Sequence, residues 1–234
     1  MRVDKYLANS GIGTRKEVKE ILKKKRITIN GEVVIDAKLH INEDEDIVCF
    51  DGERIEYKEF LYIMLNKPQE VISATDDPRH KTVVDLLEEH LTKLGLFPVG
   101  RLDKDTEGLL VLTNDGKLAH ELLSPKKHVP KKYYVELKEA LSEENAKILE
   151  NGVTIDEQFT TKPAKIDFIT DDKVYITISE GKYHQVKRMF KHVRNRVNYL
   201  KRVQMGNLAL DETLELGEYR ELTNEEFEAL KNLN

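Results

Sequence analysis

Asp103 follows Arg101 by two residues in the glycine-bounded polar loop Gly100-Arg101-Leu102-Asp103-Lys104-Asp105-Thr106-Glu107-Gly108. The loop feeds directly into the apolar run at 108–112, which reads as a buried strand. A carboxylate at the mouth of a rigid strand is held in place, as a reacting group must be. Ionised, it can attack an electrophilic carbon or stabilise a charged intermediate. Taken alone, a loop aspartate is more often a turn residue or a helix cap. Asp105 is the nearest candidate for a second carboxylate. The single cysteine, Cys49, excludes a cysteine-based zinc site, and the seven histidines show no ligand spacing, so no metal is expected. There is no glycine-rich phosphate loop and no nucleophile elbow.

Other candidate groups depend on the elements that carry them. Tyr133 alternates with Val135 in a strand over 132–137. Lys187 and Arg188 fall on a helix over 184–193, whose Val186, Met189, Phe190 and Val193 form its buried face. By themselves these patterns give a core tyrosine and a solvated lysine. Before Asp103, residues 61–65 read as a strand ended by Asn66-Lys67-Pro68. A short strand at 71–73, a charged loop at 75–81 and an amphipathic helix over 83–94 follow. After it come a helix at 117–123, a helix at 142–151 with Gly152 as its C-cap, strands at 161–169 and 174–180, and a last helix at 224–230. Strands dominate and helices interrupt them irregularly. That pattern is α+β with a largely antiparallel sheet.

The first fifty residues form a separate pattern. Val3, Tyr6 and Leu7 have helical spacing, and Gly11-Ile12-Gly13 breaks it. Thr14 and Glu17 have the spacing of a capping box and open a helix to about Lys25. Val18, Ile21 and Leu22 face inward, while Arg15, Lys16, Lys19, Lys23 and Lys24 face out. Asn30-Gly31 between β-branched runs marks a hairpin. A further strand covers 46–50, with Cys49 as a small core residue. Residues 51–60 are polar and read as a linker. The expected division is therefore a small module, residues 1–58, and a larger domain, residues 59–234.

Charge is distributed unevenly along the 234 residues, although the net value is only −5. Residues 1–40 carry ten Lys/Arg against five Asp/Glu, and residues 182–202 carry eight Lys/Arg and no acid. Residues 41–60 and 211–234 each carry two against eight. A phosphate backbone responds to local clusters, so two basic patches on an acidic body suggest nucleic acid bound at defined places. No apolar run is long enough to span a bilayer, and MRVDKYLANSG lacks the core of a signal peptide. A cytoplasmic location and no membrane partner are expected.

The pattern G-R-L-D-x-x-T-x-G-L-L-x-L-T-N-D-G at 100–116 closely resembles the active-site motif of the pseudouridine synthases that modify ribosomal RNA. Three further stretches resemble that family in order. They are Leu65-Asn66-Lys67-Pro68 with Val71-Ile72-Ser73 and 82–87, then Lys131-Lys132-Tyr133-Tyr134-Val135, then Glu180-Gly181-Lys182-Tyr183-His184-Gln185-Val186-Lys187-Arg188-Met189-Phe190. Glu70 departs from the pattern, standing where the family usually has Gly. Residues 1–50 resemble the small RNA-binding module of a ribosomal small-subunit protein and of bacterial tyrosyl-tRNA synthetases. H-Q-V-K-R-M-F joined to that module looks most like the small-subunit branch, whose enzymes modify one uridine of 16S ribosomal RNA.

The resemblance implies an isomerase that converts uridine to pseudouridine with no cofactor. In this reading Asp103 is the catalytic carboxylate, Tyr133 stacks on the extruded base, and Lys187 pairs with Asp103. Arg101 holds a phosphate of the flipped nucleotide. Arg15, Lys16, Lys19 and Lys23 grip RNA backbone from the N-terminal module, and Lys182, His184, Gln185 and Arg188 add contacts near the active site. The expected partner is ribosomal RNA or the assembling small subunit, bound by a monomer. Two rival readings are a non-catalytic ribosome-associated assembly factor and a carboxylate hydrolase such as a nucleosidase. The intact Asp103, Tyr133 and Lys187 set disfavours the first. The lack of a well-placed second carboxylate or metal site disfavours the second.

Overall fold

The Gly11-Ile12-Gly13 break separates helix α1 (Val3–Asn9) from α2 (Arg15–Lys23) in the computed structural model, which describes residues 1–55, 57–124, 127–156 and 159–232. Thr14 caps α2 as its sequence predicts. Its backbone N–H donates to Glu17 Oε2 at 2.7 Å, and its hydroxyl accepts from Glu17 N at 3.3 Å. Strands β1 (Ile27–Ile29) and β2 (Glu32–Val33) turn through Asn30 and Gly31, both with positive φ, as a type I′ hairpin requires. A second such turn, Asp51-Gly52, joins β3 (Val48–Phe50) to β4 (Glu53–Arg54), and the sheet order is β2-β1-β3-β4. The stretch expected as linker thus begins as a paired strand. Its Tyr57 stacks on Tyr6 at 5.0 Å, so the stretch belongs to this module's core. Val3, Leu7, Val18, Leu22, Ile27 and Val48 fill that core. Cys49 beside them is half-buried.

Met1–Leu61 together with Val84–Leu96 make one compact unit, and Tyr62–Val83 with Phe97–Asn234 make the other. The helix expected over 83–94 is instead a 3₁₀ turn, Val84–Leu86, followed by the four-residue α3 (Glu89–Thr92). Glu88 is extended and offers no side-chain cap, which breaks the helix. Val84, Leu87 and Leu91 are nevertheless all buried, so two short turns meet the burial that the spacing signalled. In α3, the His90 carbonyl oxygen lies 3.0 Å from where a Cβ on Gly11 would sit. A side chain there would crowd that carbonyl and strain the φ +77° backbone, so glycine suits the turn.

The second unit is built on a nine-stranded sheet. Its main path runs β11 (Lys165–Phe168), β12 (Lys173–Ile178), β8 (Lys131–Leu137), β13 (Val197–Met205), β7 (Glu107–Thr113), β5 (Tyr62–Lys67) and β15 (Tyr219–Glu221). β14 (Leu208–Ala209) adds to β13, and β6 (Phe97–Pro98) adds to β7. β13 and β7 are parallel, and every other pairing is antiparallel. Every residue of β7 is buried, as a strand with neighbours on both edges and cover on both faces requires. Leu109 and Val111 face one side and pack with Met64, Leu118, Leu122 and Met205. Leu118 and Leu122 come from α4 (Gly116–Leu123), capped by Asp115.

Two strand expectations are corrected. Residues 71–73 form a single bridge, Ile72 to Thr82, because only one residue of the segment meets a partner. The strand expected over 161–169 is confined to β11. Pro163 cannot donate to a ladder, and before it β10 (Phe159–Thr160) pairs instead with β9 (Thr154–Asp156). Helix α5 (Glu143–Glu150) ends at Asn151, with Gly152 just beyond at φ +86°. Helix α6 (Gln185–His192) follows β12, and α7 (Asn224–Lys231) closes the chain. Among the described residues no helix is long and apolar enough to cross a membrane.

Candidate active site

Asp103 sits just before β7 in a tight turn, with Thr106 N donating to its carbonyl oxygen at 3.0 Å. The turn is braced from beneath by a residue that sequence reasoning missed. Lys67, at the end of β5, is fully buried. Its Nζ donates to the carbonyl oxygens of Pro68 at 2.9 Å, Asp103 at 3.1 Å and Thr106 at 3.0 Å. Burial pushes its ammonium down to about 8, against the opposing pull of Asp103, Asp105, Glu107 and Glu70. Ser73 ties the other side of the loop. Its hydroxyl donates to Leu102 O at 2.9 Å and accepts from Leu102 N at 3.0 Å. Lys67 and Ser73 both come from the Leu65–Ser73 stretch, so that stretch acts as a rear support for the loop.

Glu70 takes a left-handed backbone, φ +64°. A glycine would adopt that conformation without strain, so the turn keeps a shape that suits Gly although its residue is Glu. Two contacts hold it there. Glu70 N donates to Lys104 O at 2.9 Å, and its carboxylate pairs with Lys104 at 2.9 Å.

The front of the site comes from the first turn of α6 and the loop before it. Lys187 Nζ lies 2.5 Å from Asp105 Oδ1 and 3.6 Å from Asp103 Oδ2. It therefore bridges both carboxylates and binds Asp105 more closely. At Asp105 burial acts upward, but the Lys187 hydrogen bond and charge outweigh it and hold the carboxyl below its usual value. His184 Nε2 is 3.6 Å from Asp103 Oδ1. His184 also has a left-handed backbone, φ +50°. Tyr183, three-quarters exposed, stacks on its ring with centroids 3.8 Å apart. Tyr133, in β8 opposite Arg202 of β13, is buried and lines the same small pocket as Asp103, with Arg101 and Lys182 at its exposed rim.

Two residues expected to contact RNA have their polar groups occupied within the protein. Gln185 is buried, accepts from Lys182 N at 2.9 Å and donates to Glu180 Oε1 at 2.8 Å. It holds the 180–185 turn closed. Arg188 donates to the backbone carbonyls of Ile155 and Tyr183. In the other unit, Arg15, Lys16, Lys19 and Lys23 are all exposed on α2, and Lys23 is paired with Glu20 at 2.8 Å. Among the described residues no group of three or more His, Cys, Asp or Glu is placed to hold a metal ion.

Residues 61–192 match the family model for RNA pseudouridylate synthase. The chain belongs to that family. Residues 1–47 match the S4 domain. The chain is 55% identical over 234 residues to an uncharacterized RNA pseudouridine synthase of Bacillus subtilis (strain 168), covering 98% of each. It is 41% identical over 228 residues to the ribosomal small subunit pseudouridine synthase A of Escherichia coli (strain K12), covering 97% of this chain and 98% of that one. A crystal structure of a pseudouridylate synthase superposes with a TM-score of 0.70 at 39% identity, over 98% of this chain and 99% of that one. Membership makes the chain an isomerase, a reaction class that needs neither net oxidation nor a second substrate. Every motif of the 65–190 region that resembles the family lies in the unit that carries Asp103 or in the segment 84–96.

Proposed function

We propose that this chain isomerises one uridine of small-subunit ribosomal RNA to pseudouridine, with Asp103 as the catalytic residue. The reaction breaks the C1′–N1 bond and forms a C1′–C5 bond. C5 gives up one proton and N1 gains one, so the product is an isomer of the substrate. Asp103 supplies the anionic oxygen that attacks the nucleoside, at C1′ or C6. Lys187 sets a positive charge 3.6 Å from that carboxylate, opposite the developing charge of the reaction. Tyr133 stacks on the extruded base, and Arg101 holds its phosphate. Lys182 and His184 contact the RNA at the rim, whereas Gln185 and Arg188 shape the loop that presents them. Residues 1–58 serve as the RNA-binding module, gripping backbone through Arg15, Lys16, Lys19 and Lys23, and residues 59–234 carry the chemistry. All named groups of the site come from one chain, so a monomer suffices. Its place of work is the cytoplasm, on free RNA or the assembling subunit.

The observation that carries this reading is the Asp103 carboxylate, fixed from behind by Lys67 and Ser73 and faced by Lys187. The test is a map of pseudouridine in ribosomal RNA from a strain lacking the gene. Loss of one 16S position, restored by the wild-type gene and not by an Asp103→Asn copy, is expected. A map unchanged by loss of the gene, together with binding of the wild-type protein to ribosomal particles, would support the non-catalytic assembly factor instead.

A further inference from the structure

The Asp103 pocket is small, about 70 Å³, but it opens beside a much larger cavity of about 450 Å³. The two share Arg101, Tyr133, Gly181 and Lys182 as common wall. The larger volume is in the range of ligand-binding pockets. Its lining is cationic. Arg202, Lys131, Lys162 and Lys182 contribute, and the one carboxylate among its described lining residues, Glu180, is already taken by Gln185 Nε2 and Lys162 N, each at 2.8 Å.

The deepest residue of this cavity lacks a partner that its burial requires. Arg202 is 2% exposed. Its Nε donates to Leu109 O at 2.8 Å, but its Nη2 has no hydrogen-bond partner among the described residues. Lys131 Nζ donates to Val129 O at 3.0 Å. Burial, and then the neighbouring Arg202 charge, push its ammonium down to about 8. A buried guanidinium with an unmet N–H, beside the half-buried Lys131 and with no ion-pair partner among the described residues, is costly unless something negative completes it. The Tyr133 and Phe159 rings supply flat apolar wall, and Lys182 Nζ sits 4.6 Å over Phe159.

We propose that this cavity is a phosphate subsite for the RNA strand, with Arg202 and Lys131 receiving a backbone phosphate next to the extruded uridine. The assignment rests on the reading of Asp103 as a uridine-isomerising residue. The shared wall of Arg101, Tyr133 and Lys182 sets the larger cavity directly beside a uridine held in the Asp103 pocket. Arg202 and Lys131 line that neighbouring cavity. Arg fits the role because its planar fork donates two parallel bonds to a phosphate. A free phosphate has the same chemistry, and the experiment separates the two sources.

The test uses the full chain with two probes, inorganic phosphate and a 16S ribosomal RNA transcript. Inorganic phosphate should saturate a single site by ³¹P NMR, and Lys131→Gln should weaken it about tenfold, the loss of one charge-assisted hydrogen bond. Lys131→Arg should restore it. With RNA, Lys131→Gln should lower the slope of log affinity against log salt by about 0.7–0.9, one phosphate contact. The half-saturating RNA concentration should rise. Arg202→Met should behave alike, and Lys131→Gln carries the test if that variant does not fold. Phosphate binding with an unchanged RNA slope would overturn the RNA assignment in favour of a free anion. No phosphate binding and an unchanged slope would make Arg202 and Lys131 a purely structural pair. Failure of the underlying reading shows separately, as a wild-type enzyme that forms no pseudouridine.

Discussion

Replacing Lys67 with Met should weaken both the fold and the reaction, because the side chain braces the Asp103 turn from inside. Met keeps most of the apolar stem and removes the ammonium. Three hydrogen bonds to carbonyl oxygens disappear, at 2.9, 3.1 and 3.0 Å. Bonds from a charged donor contribute about 2 kcal/mol each, or about 6 kcal/mol together. Keeping the ammonium buried takes part of this back. Its depression from 10.5 to about 8 corresponds to about 3 kcal/mol. The net loss is then about 3 kcal/mol, which lowers the melting temperature of a domain of this size by roughly 6–12 °C. Two of the three carbonyls belong to Asp103 and Thr106, so the carboxylate loses its register with Lys187. A displacement of about 1 Å costs on the order of a hundredfold in rate. The same group predicts opposite pH trends. Between pH 8 and 10.5 the unfolded chain holds a proton on Lys67 that the folded protein has released, so this residue's contribution to stability rises with pH. Lys131, also near 8, acts with the same sign. Activity should fall through pH 8, because a neutral amine has one donor fewer for three carbonyls. Thermal melts and single-turnover rates from about pH 7 to 10, for wild type and Lys67→Met, read both effects. A variant that melts within about 2 °C of wild type and reacts at the wild-type rate would refute the brace.

Two further outcomes follow from the site and the module. Lys187→Met leaves Asp103 and Asp105 facing each other without their shared cation. The single-turnover rate should fall by roughly tenfold or more, the Asp105 carboxyl should titrate higher by NMR, and Lys187→Arg should retain much of the rate. A wild-type rate in Lys187→Met would make the lysine a surface residue. Neutralising Arg15, Lys16 and Lys19 together should weaken RNA binding broadly and lower its salt slope by about 0.7–0.9 for each phosphate that α2 no longer grips. Filter binding across a salt series would show an unchanged slope if α2 does not touch RNA backbone.

Local chemistry made part of this molecule legible in advance. The Thr14–Glu17 box and the Asn30-Gly31 hairpin declare themselves through neighbours three or fewer residues apart. β7 declares itself as a continuous apolar run because it is covered on every side. Lys67 did not, because a lysine before a proline reads as the solvated end of a strand. Its burial depends on a loop that is 36 residues away in sequence at Asp103. Arg202 was concealed by company, as one of eight basic residues in 182–202 that read together as a surface patch. The available signal was strand alternation, since Arg202 falls on the same face of β13 as the buried Leu200. Gln185 looked like an RNA contact because its motif lies beside the site. Its amide is used within the turn, at Lys182 and Glu180, which one-dimensional spacing does not reveal. The break at Glu88 was hidden because two short turns bury the same apolar positions as one helix.

The central claim is that Asp103 performs the isomerisation, and its most direct test is a single-turnover assay on a 16S ribosomal RNA transcript with wild type and Asp103→Asn in excess. The carboxylate is assigned to chemistry and not to gripping phosphate, so RNA affinity should stay within about a few-fold while pseudouridine formation is lost. Pseudouridine formed by Asp103→Asn at a yield and rate comparable to wild type would contradict the account.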